Sequence, residues 1–403
     1  MLCLNNFVVI GIANDIDINS VTMLITKLSK DVNLNFIEID FNSSKVIVGF
    51  RERKCASNNE EMTIILHGIF LGETLTSLTE KINSNIKAFL ECYRYQGVTV
   101  AIDRINKLVY VIEDPGATRS IFYYITPKVF VVSTDMELLK TVVDVLNIHY
   151  NLDVLALYEI MELGHIVSRR TLYKGVNRLF SGEFIVIKIK DNGFWYRIDK
   201  YWDITKLDTT PNRDSIVLLL RLIIEHLNML CSEIPGSKII VPVSGGIDSS
   251  LLLLLASKAR RCNRINAFHV NLGYREELLR SRVIATKAGA PLYIKLFTGS
   301  QLREKYLELI SYMLKLIGYP RENDASLPYL ISAQLIRSQF REGMIISLGG
   351  EGSDPVFGGS DYYKFFAVKL IVEKKVAEFL KLVKTIARYN FEHEKPVFMI
   401  LKP

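Results

Sequence analysis

The sequence predicts two architectures in succession: an α+β domain of layered sheets over residues 1–205, then an α/β domain on a parallel sheet over residues 212–403. Three observations carry this. In the first half, short β-like runs follow one another with few helical segments between them, as in sheets with helices packed on their faces. In the second half, strands alternate with long helical patterns, the sign of parallel strands joined by crossover helices. One strand of that half also stops at a Gly-rich turn and passes straight into a leucine helix, VPVSGGIDSSLLLLLA at 241–256. With 403 residues the chain is too long for one ordinary core, which again favours two domains.

The strand runs of the first half are FVVIGIA, NFIEIDF, KVIVGF, MTIILHGIF, VTVAIDR, KLVYVIED, KVFVVSTD and EFIVIKIK, rich in β-branched and aromatic residues. Helical periodicity interrupts them at 20–32, 74–95 and 151–164. A polar, Pro-containing connector, YWDITKLDTTPNRD at 201–214, marks the boundary. Beyond it come a helix at 213–232, strand KIIVPV at 238–243, a helix at 249–260, strand RINAFHVNL, a helix at 275–289 and strand LYIKLF. Helical segments near 301–317 and 325–341, strand MIISLGG, and helices over about 361–389 complete the pattern.

Composition narrows the class. Apolar residues make up 49% and charged residues 23%, a globular balance. The net charge of +7 is spread without a dense basic block, so it reads as a solvated surface, and a nucleic-acid partner is not expected. Five cysteines (Cys3, Cys55, Cys92, Cys231, Cys262) are odd in number and form no C-x-x-C pair, so they read as reduced thiols of a cytoplasmic protein. The longest apolar run, the leucine helix after Ser250, is too short to span a membrane. The histidines are scattered singly, which argues against a structural transition metal.

The turn Ser244-Gly245-Gly246-Ile247-Asp248-Ser249 has the chemistry of an anion site. Unpaired amides and the helix dipole favour negative charge at a helix N-terminus, and glycines let the backbone approach it closely. It is not G-x-x-x-x-G-K-[ST], and Asp248 would repel a bare phosphate. The acid makes sense where Mg²⁺ bridges it to the phosphates. The bland alternative is a glycine turn with Asp248 as N-cap.

The pattern S-G-G-x-D-S resembles the PP-loop of ATP pyrophosphatases, which cleave ATP to AMP and pyrophosphate. A second segment, MIISLGGEGSDPVFGGSDYY at 344–363, resembles the asparagine synthetase signature S-G-E-G-[AS]-D-E-x-F-G-G-Y. It matches at Gly350 to Asp354 and Phe357 to Gly359, and departs at Gly349, Pro355 and Ser360. PRENDASLPYLISAQ at 320–334 is similar to the P-x-x-D-x-S-A segment lining the aspartate side, which places Asp324 and Ser326 at the substrate. The resemblance implies ATP held by Ser244, Gly245, Gly246, Asp248, Ser249 and Gly350, with Mg²⁺ on Asp248 and Asp354. Glu351 would orient or deprotonate ammonia, with Asp354 beside it, because amide formation needs a neutral amine near an acid able to take a proton.

The first half resembles the N-terminal-nucleophile (Ntn-hydrolase-like, αββα) glutaminase of glutamine-dependent asparagine synthetases. EDPGATRSIFYY at 113–124 matches R-D-x-x-G-x-R-P-L-Y-Y at Asp114, Arg119 and Tyr123. LFSGEFIVIK and Tyr201-Trp202-Asp203 are also similar to family segments. The catalytic parts depart. Cys3 stands one place beyond the nucleophile's position, and His67-Gly68 replaces Asn-Gly at the oxyanion hole. No S-D-x-E segment is found, and Arg51 is the nearest match to the glutamine-carboxylate arginine. The glutaminase is therefore expected to be inactive, with Cys3 a buried thiol. HEKPVFMILKP at 393–403 resembles R-x-P-F-L-D, but the family's later phosphate-binding lysine has no match, so this half reads as short at its C-terminus.

The resemblance implies a PP-loop (adenine nucleotide alpha hydrolase-like) ligase that adenylates a carboxylate, aspartate or a related acid, and joins it to ammonia. Nitrogen would come from free ammonia or from glutamine; a homodimer is compatible with it, and no membrane partner is expected. A β-lactam synthetase-like cyclase, a non-catalytic ATP-binding relative and a tRNA-modifying PP-loop enzyme stay open as alternatives.

Overall fold

The computed structural model describes residues 2–3, 6–13, 22–23, 25–26, 28, 33–42, 44–91, 93, 95–206, 213–262, 265–271, 273–297, 299–317, 326–341, 343–350, 369, 372–378 and 380–381. The first half opens with strands β1 (Leu2–Cys3), β2 (Phe7–Ala13), β3 (Asn35–Phe41), β4 (Ser44–Phe50), β5 (Ala56–Asn58) and β6 (Met62–Ile69). Helices α1 (Leu75–Ser84) and α2 (Ile86–Glu91) follow, then β7 (Gln96–Asp103), β8 (Leu108–Ile112), β9 (Phe122–Ile125) and β10 (Val129–Ser133). Helices α3 (Met136–Val145) and α4 (Val154–Leu163) lead to β11 (Asn177–Arg178), β12 (Glu183–Lys190) and β13 (Gly193–Lys200).

These strands form two antiparallel sheets, one ordered β1-β6-β7-β8-β12-β13 with β5 also on β6, the other β11-β9-β10-β2-β4-β3. Side-chain alternation sorts each strand between two cores. Val9, Val46, Val48, Val100, Val111 and Ile187 meet between the sheets. Ile64 and Leu66 of β6 point the other way, under Leu78 of α1 and Phe89 of α2. Val8, Ile10 and Val131 lie under Leu139 and Val142 of α3. The half is thus helix, sheet, sheet, helix. The β2 run FVVIGIA is apolar throughout because both of its faces are covered. Each buried Val or Ile contributes about 1.5–3 kcal/mol.

Two departures from the sequence pattern have local causes. The helix expected over 74–95 breaks at Asn85, whose extended backbone ends α1 while its Oδ1 accepts from the Ala88 amide (3.1 Å), starting α2. Helix α3 was not expected from its β-branched TVVDV; Asp135 caps it by accepting from the Leu138 amide (3.1 Å), and tertiary packing overrides propensity.

The second half comprises α5 (Arg213–Glu233), β14 (Lys238–Pro242), α6 (Ile247–Lys258), β15 (Ile265–Asn271), α7 (Arg275–Ala288) and β16 (Leu292–Leu296). After these come α8 (Gly299–Ile317), α9 (Ser326–Gln339) and β17 (Ile345–Ser347). The four strands are parallel, in the order β16-β15-β14-β17. Leu227 of α5, Leu253 of α6 and Ala285 of α7 cover one face, and Ile336 of α9 covers the other. The parallel sheet expected from the alternating pattern is present. The helices expected over about 361–389 lie mostly outside the described residues.

One further expectation is corrected. Cys231 and Cys262 are joined by a disulfide (Cα–Cα 5.3 Å), so not all cysteines are reduced thiols; Cys3 and Cys55 are free and buried. The partners lie 31 residues apart and meet only because α5 packs beside the loop after α6. Among the described residues, one helix, Asp214–Glu233, is long and apolar enough by length and composition to cross a membrane (mean hydropathy 1.6), while the leucine helix is too short, as expected. In this fold, Leu227, Leu230 and Cys231 of that helix are buried.

Candidate functional site

The sheet order reverses direction at β14. From β14 the chain moves to β15 and then β16, but β17 returns to β14's other side. In open parallel sheets the crevice beyond the carboxyl ends of such a strand pair is where ligands bind. The turn after β14 is Ser244–Ser249, and the segment after β17 begins at Leu348-Gly349-Gly350.

The helix after the turn begins at Ile247, two residues before the expected start, so Asp248 lies in its first turn instead of capping it. Gly246 is the N-cap and offers no side-chain cap. The amides of Ile247, Asp248 and Ser249 precede the first intrahelical bond, from Ser250 N to Gly246 O (3.2 Å). The turn is held from within: Ser244 N donates to Ser249 Oγ (3.3 Å), and Gly246 N donates to Ser244 Oγ (3.2 Å). Asp248 is exposed, and among the described residues it has no hydrogen-bond or ion-pair partner. A carboxylate left out of a self-contained turn, next to helix-end amides, is a hard oxygen donor beside an anion cradle.

Two close approaches define the surroundings. Gly350 sits on the first turn of α6; a Cβ there would lie 3.3 Å from Asp248 Cβ and 3.5 Å from Ser249 N. The structure therefore brings Ser244, Gly245, Gly246, Asp248, Ser249 and Gly350 together. Ser326 opens α9. Glu351, Asp354 and Asp324 lie outside the described residues. On the loop's other side, Gly245 takes φ +82° and presses against α7. That contact is anchored beneath: His269 Nδ1–H (2.7 Å) and Ser281 Oγ–H (3.1 Å) both donate to the carbonyl of Val243, and both side chains are buried. Neither His269 nor Ser281 was singled out from sequence; a polar pair on adjoining elements offers no pattern to find.

Beside Gly349 a cleft of about 700 Å³ separates α5 from the first half, with Ile69, Gln96, Leu222, His226 and Leu252 among its walls. Burial holds His226 below the ordinary histidine range.

In the first half, the residues matched to a glutaminase are occupied with structure. Asp114 folds its own turn, accepting from Gly116 N (2.7 Å) and Thr118 N (3.1 Å). Tyr201 straps the half together by donating to the Glu113 carbonyl (2.6 Å). Cys3 is fully buried in the core under the helices, with Cys55, Leu66 and Phe89. His67 faces the opposite side of β6, against Phe7 and Thr134 Oγ1 (3.2 Å).

Burial, then the nearby charge of Arg119, pushes His67 down to about 4 from 6.5. The folded state holds the ring neutral while the unfolded chain would protonate it, so stability present above pH 6.5 is lost as pH falls towards 4. At 1.4 kcal/mol per unit this is worth on the order of 3 kcal/mol. We expect His67→Gln to abolish that part of the acid sensitivity. Urea titrations followed by tryptophan fluorescence check it, since both tryptophans, Trp195 and Trp202, belong to the first half.

A family profile described as asparagine synthase matches residues 238–394, fewer than half of the chain's 403 residues. Comparison with curated proteins returns no match. Among solved structures, a glutamine-dependent NAD+ synthetase from Acinetobacter baumannii in complex with ADP is 16% identical, with TM-score 0.29, covering 47% of this chain and 34% of that one. An NH3-dependent NAD synthetase from Campylobacter jejuni in complex with the nitrate ion is 13% identical, with TM-score 0.28, covering 46% and 91%. A glutamine phosphoribosylpyrophosphate amidotransferase from B. subtilis complexed with ADP and GMP is 11% identical, with TM-score 0.29, covering 85% and 90%. The chain spans about a third of the first of these. At scores this low the likenesses say nothing of this chain's chemistry. The profile match, which includes the phosphate-type loop and Gly350, supports an ATP-using amide-forming ligase.

Proposed function

We propose that the chain adenylates a carboxylate, aspartate or a related acid, with release of pyrophosphate, and that ammonia then displaces AMP from the acyl adenylate, losing a proton, to form the amide. The observation that carries this is the packing of Gly350 on Asp248 and Ser249 at the reversal of strand order, which sets the start of the second motif segment against the first. Helix-end amides of α6 receive the phosphates, and the Ser244–Ser249 bonds keep the turn shaped without them. Asp248 fits a magnesium site because it is exposed and partnerless among the described residues, and Mg²⁺ is commonly held by one or two carboxylates plus substrate phosphates. Asp354 would be the second carboxylate. When bound, the ion would neutralise charge developing on the pyrophosphate. Glu351 would take a proton from the attacking ammonia, and Asp324 and Ser326 would face the acceptor acid.

Free ammonia is the proposed nitrogen source. Burial of Cys3 beneath the helices, away from His67, and the histidine in place of the oxyanion-hole asparagine support it. With MgATP and aspartate, asparagine should form with ammonium and not with glutamine, as read by amino-acid analysis. Turnover with glutamine that is lost in Cys3→Ala would overturn the nitrogen assignment.

A further inference from the structure

The loop Ser-Gly-Gly-Ile-Asp-Ser carries a net negative charge of its own, yet it is read as the seat of a pyrophosphate. Helix-end amides offset only part of this. A full positive charge at the loop would offset far more. We propose that Arg280 of α7 is a substrate-binding residue whose guanidinium grips the pyrophosphate portion of the nucleotide; the proposal rests on reading Ser244–Ser249 as the phosphate loop.

Three features of the structure point to it. First, the loop and α7 touch through backbone. A Cβ at Gly245 would fall 2.8 Å from the Glu277 carbonyl oxygen, 2.9 Å from Arg280 Cβ and 3.4 Å from Ser281 N. The root of Arg280 therefore stands against the loop's first glycine, and an arginine stem is longer than that separation.

Second, the placement is rigid. Ser281 is the next residue, and its buried hydroxyl donates to the carbonyl of Val243, which immediately precedes the loop. His269 holds the same carbonyl from β15. These buried bonds fix Cα of Arg280 relative to Ser244 before any ligand arrives, which reduces the ordering cost of binding.

Third, the guanidinium is not committed elsewhere. Its ion pair with Glu276 is long (3.8 Å), and both side chains are exposed, at 57% and 87%. Such a surface pair is worth little and is readily exchanged for a phosphate. The planar fork of an arginine suits two phosphate oxygens, where a lysine would act as a point charge.

The test uses the full chain and inorganic pyrophosphate with Mg²⁺, titrated by calorimetry, with aspartate-dependent ATP–pyrophosphate exchange alongside. Arg280→Ala should weaken pyrophosphate binding by about tenfold to a hundredfold, the range for a lost charged hydrogen bond. Arg280→Lys should recover part of it. Arg282→Ala is the charge-matched control: Arg282 is exposed and turned by about 200° round α7, so binding should change by less than about threefold. Unchanged binding in Arg280→Ala, or equal losses in Arg280→Ala and Arg282→Ala, would overturn the assignment. If the wild-type chain itself binds no pyrophosphate, the phosphate-loop reading fails and Arg280 with it. Binding by the wild type that Arg280→Ala leaves intact refutes Arg280 alone.

Discussion

Asp248→Ala is expected to lower aspartate-dependent pyrophosphate release from MgATP by on the order of a thousandfold, a loss of about 4 kcal/mol of transition-state stabilisation. Stability should hardly change. Asp248 is exposed in the first turn of α6 and partnerless among the described residues, so alanine leaves no buried group unsatisfied. The turn's own bonds run through Ser244, Gly246 and Ser249 and survive the substitution. A variant with an unshifted melting curve and no release fits the proposal. Release at the wild-type rate would remove Asp248 from the site.

Gly245→Ala is expected to cost both activity and stability, which separates it from the first variant. Its φ of +82° is strained for a residue with a Cβ, at about 1–3 kcal/mol. The added carbon would also meet the Glu277 carbonyl oxygen at 2.8 Å, a backbone atom that cannot rotate away. Either α7 moves off the loop or the loop leaves its cradle, and pyrophosphate release should fall by about a hundredfold or more. Thermal unfolding and initial rates of release, measured together, check this; an alanine variant with wild-type values for both would show that the contact is dispensable.

Much of the fold was legible because burial writes itself into the chain. FVVIGIA and EFIVIKIK are strands by composition, and KIIVPV followed by S-G-G announces a strand ending at a turn. What escaped depended on partners distant in sequence. Strand β13, GFWYRIDK, went unread since Trp195, Tyr196 and Arg197 are exposed and blur its alternation; full register with β12 makes it a strand. Helix α3 owes its form to a capping aspartate and a sheet beneath it. The Cys231–Cys262 link has no local signature at all. In the candidate site, Ser244 to Ser249 could be read from glycine spacing in a strand–turn–helix setting. The meeting of Gly350 with Asp248, and of α7 with Gly245, could not. Both follow from the order of the parallel strands, which places β17 and β15 on either side of β14.

The most direct test of the central claim is aspartate-dependent exchange of labelled pyrophosphate into ATP by the purified chain with Mg²⁺ and no ammonia. The exchange reports reversible adenylation before any amide can form. Exchange that requires aspartate and vanishes in Asp248→Ala is the predicted result. No exchange with aspartate or other small carboxylic acids, from a folded chain that binds MgATP, would contradict the claim that this crevice activates a carboxylate.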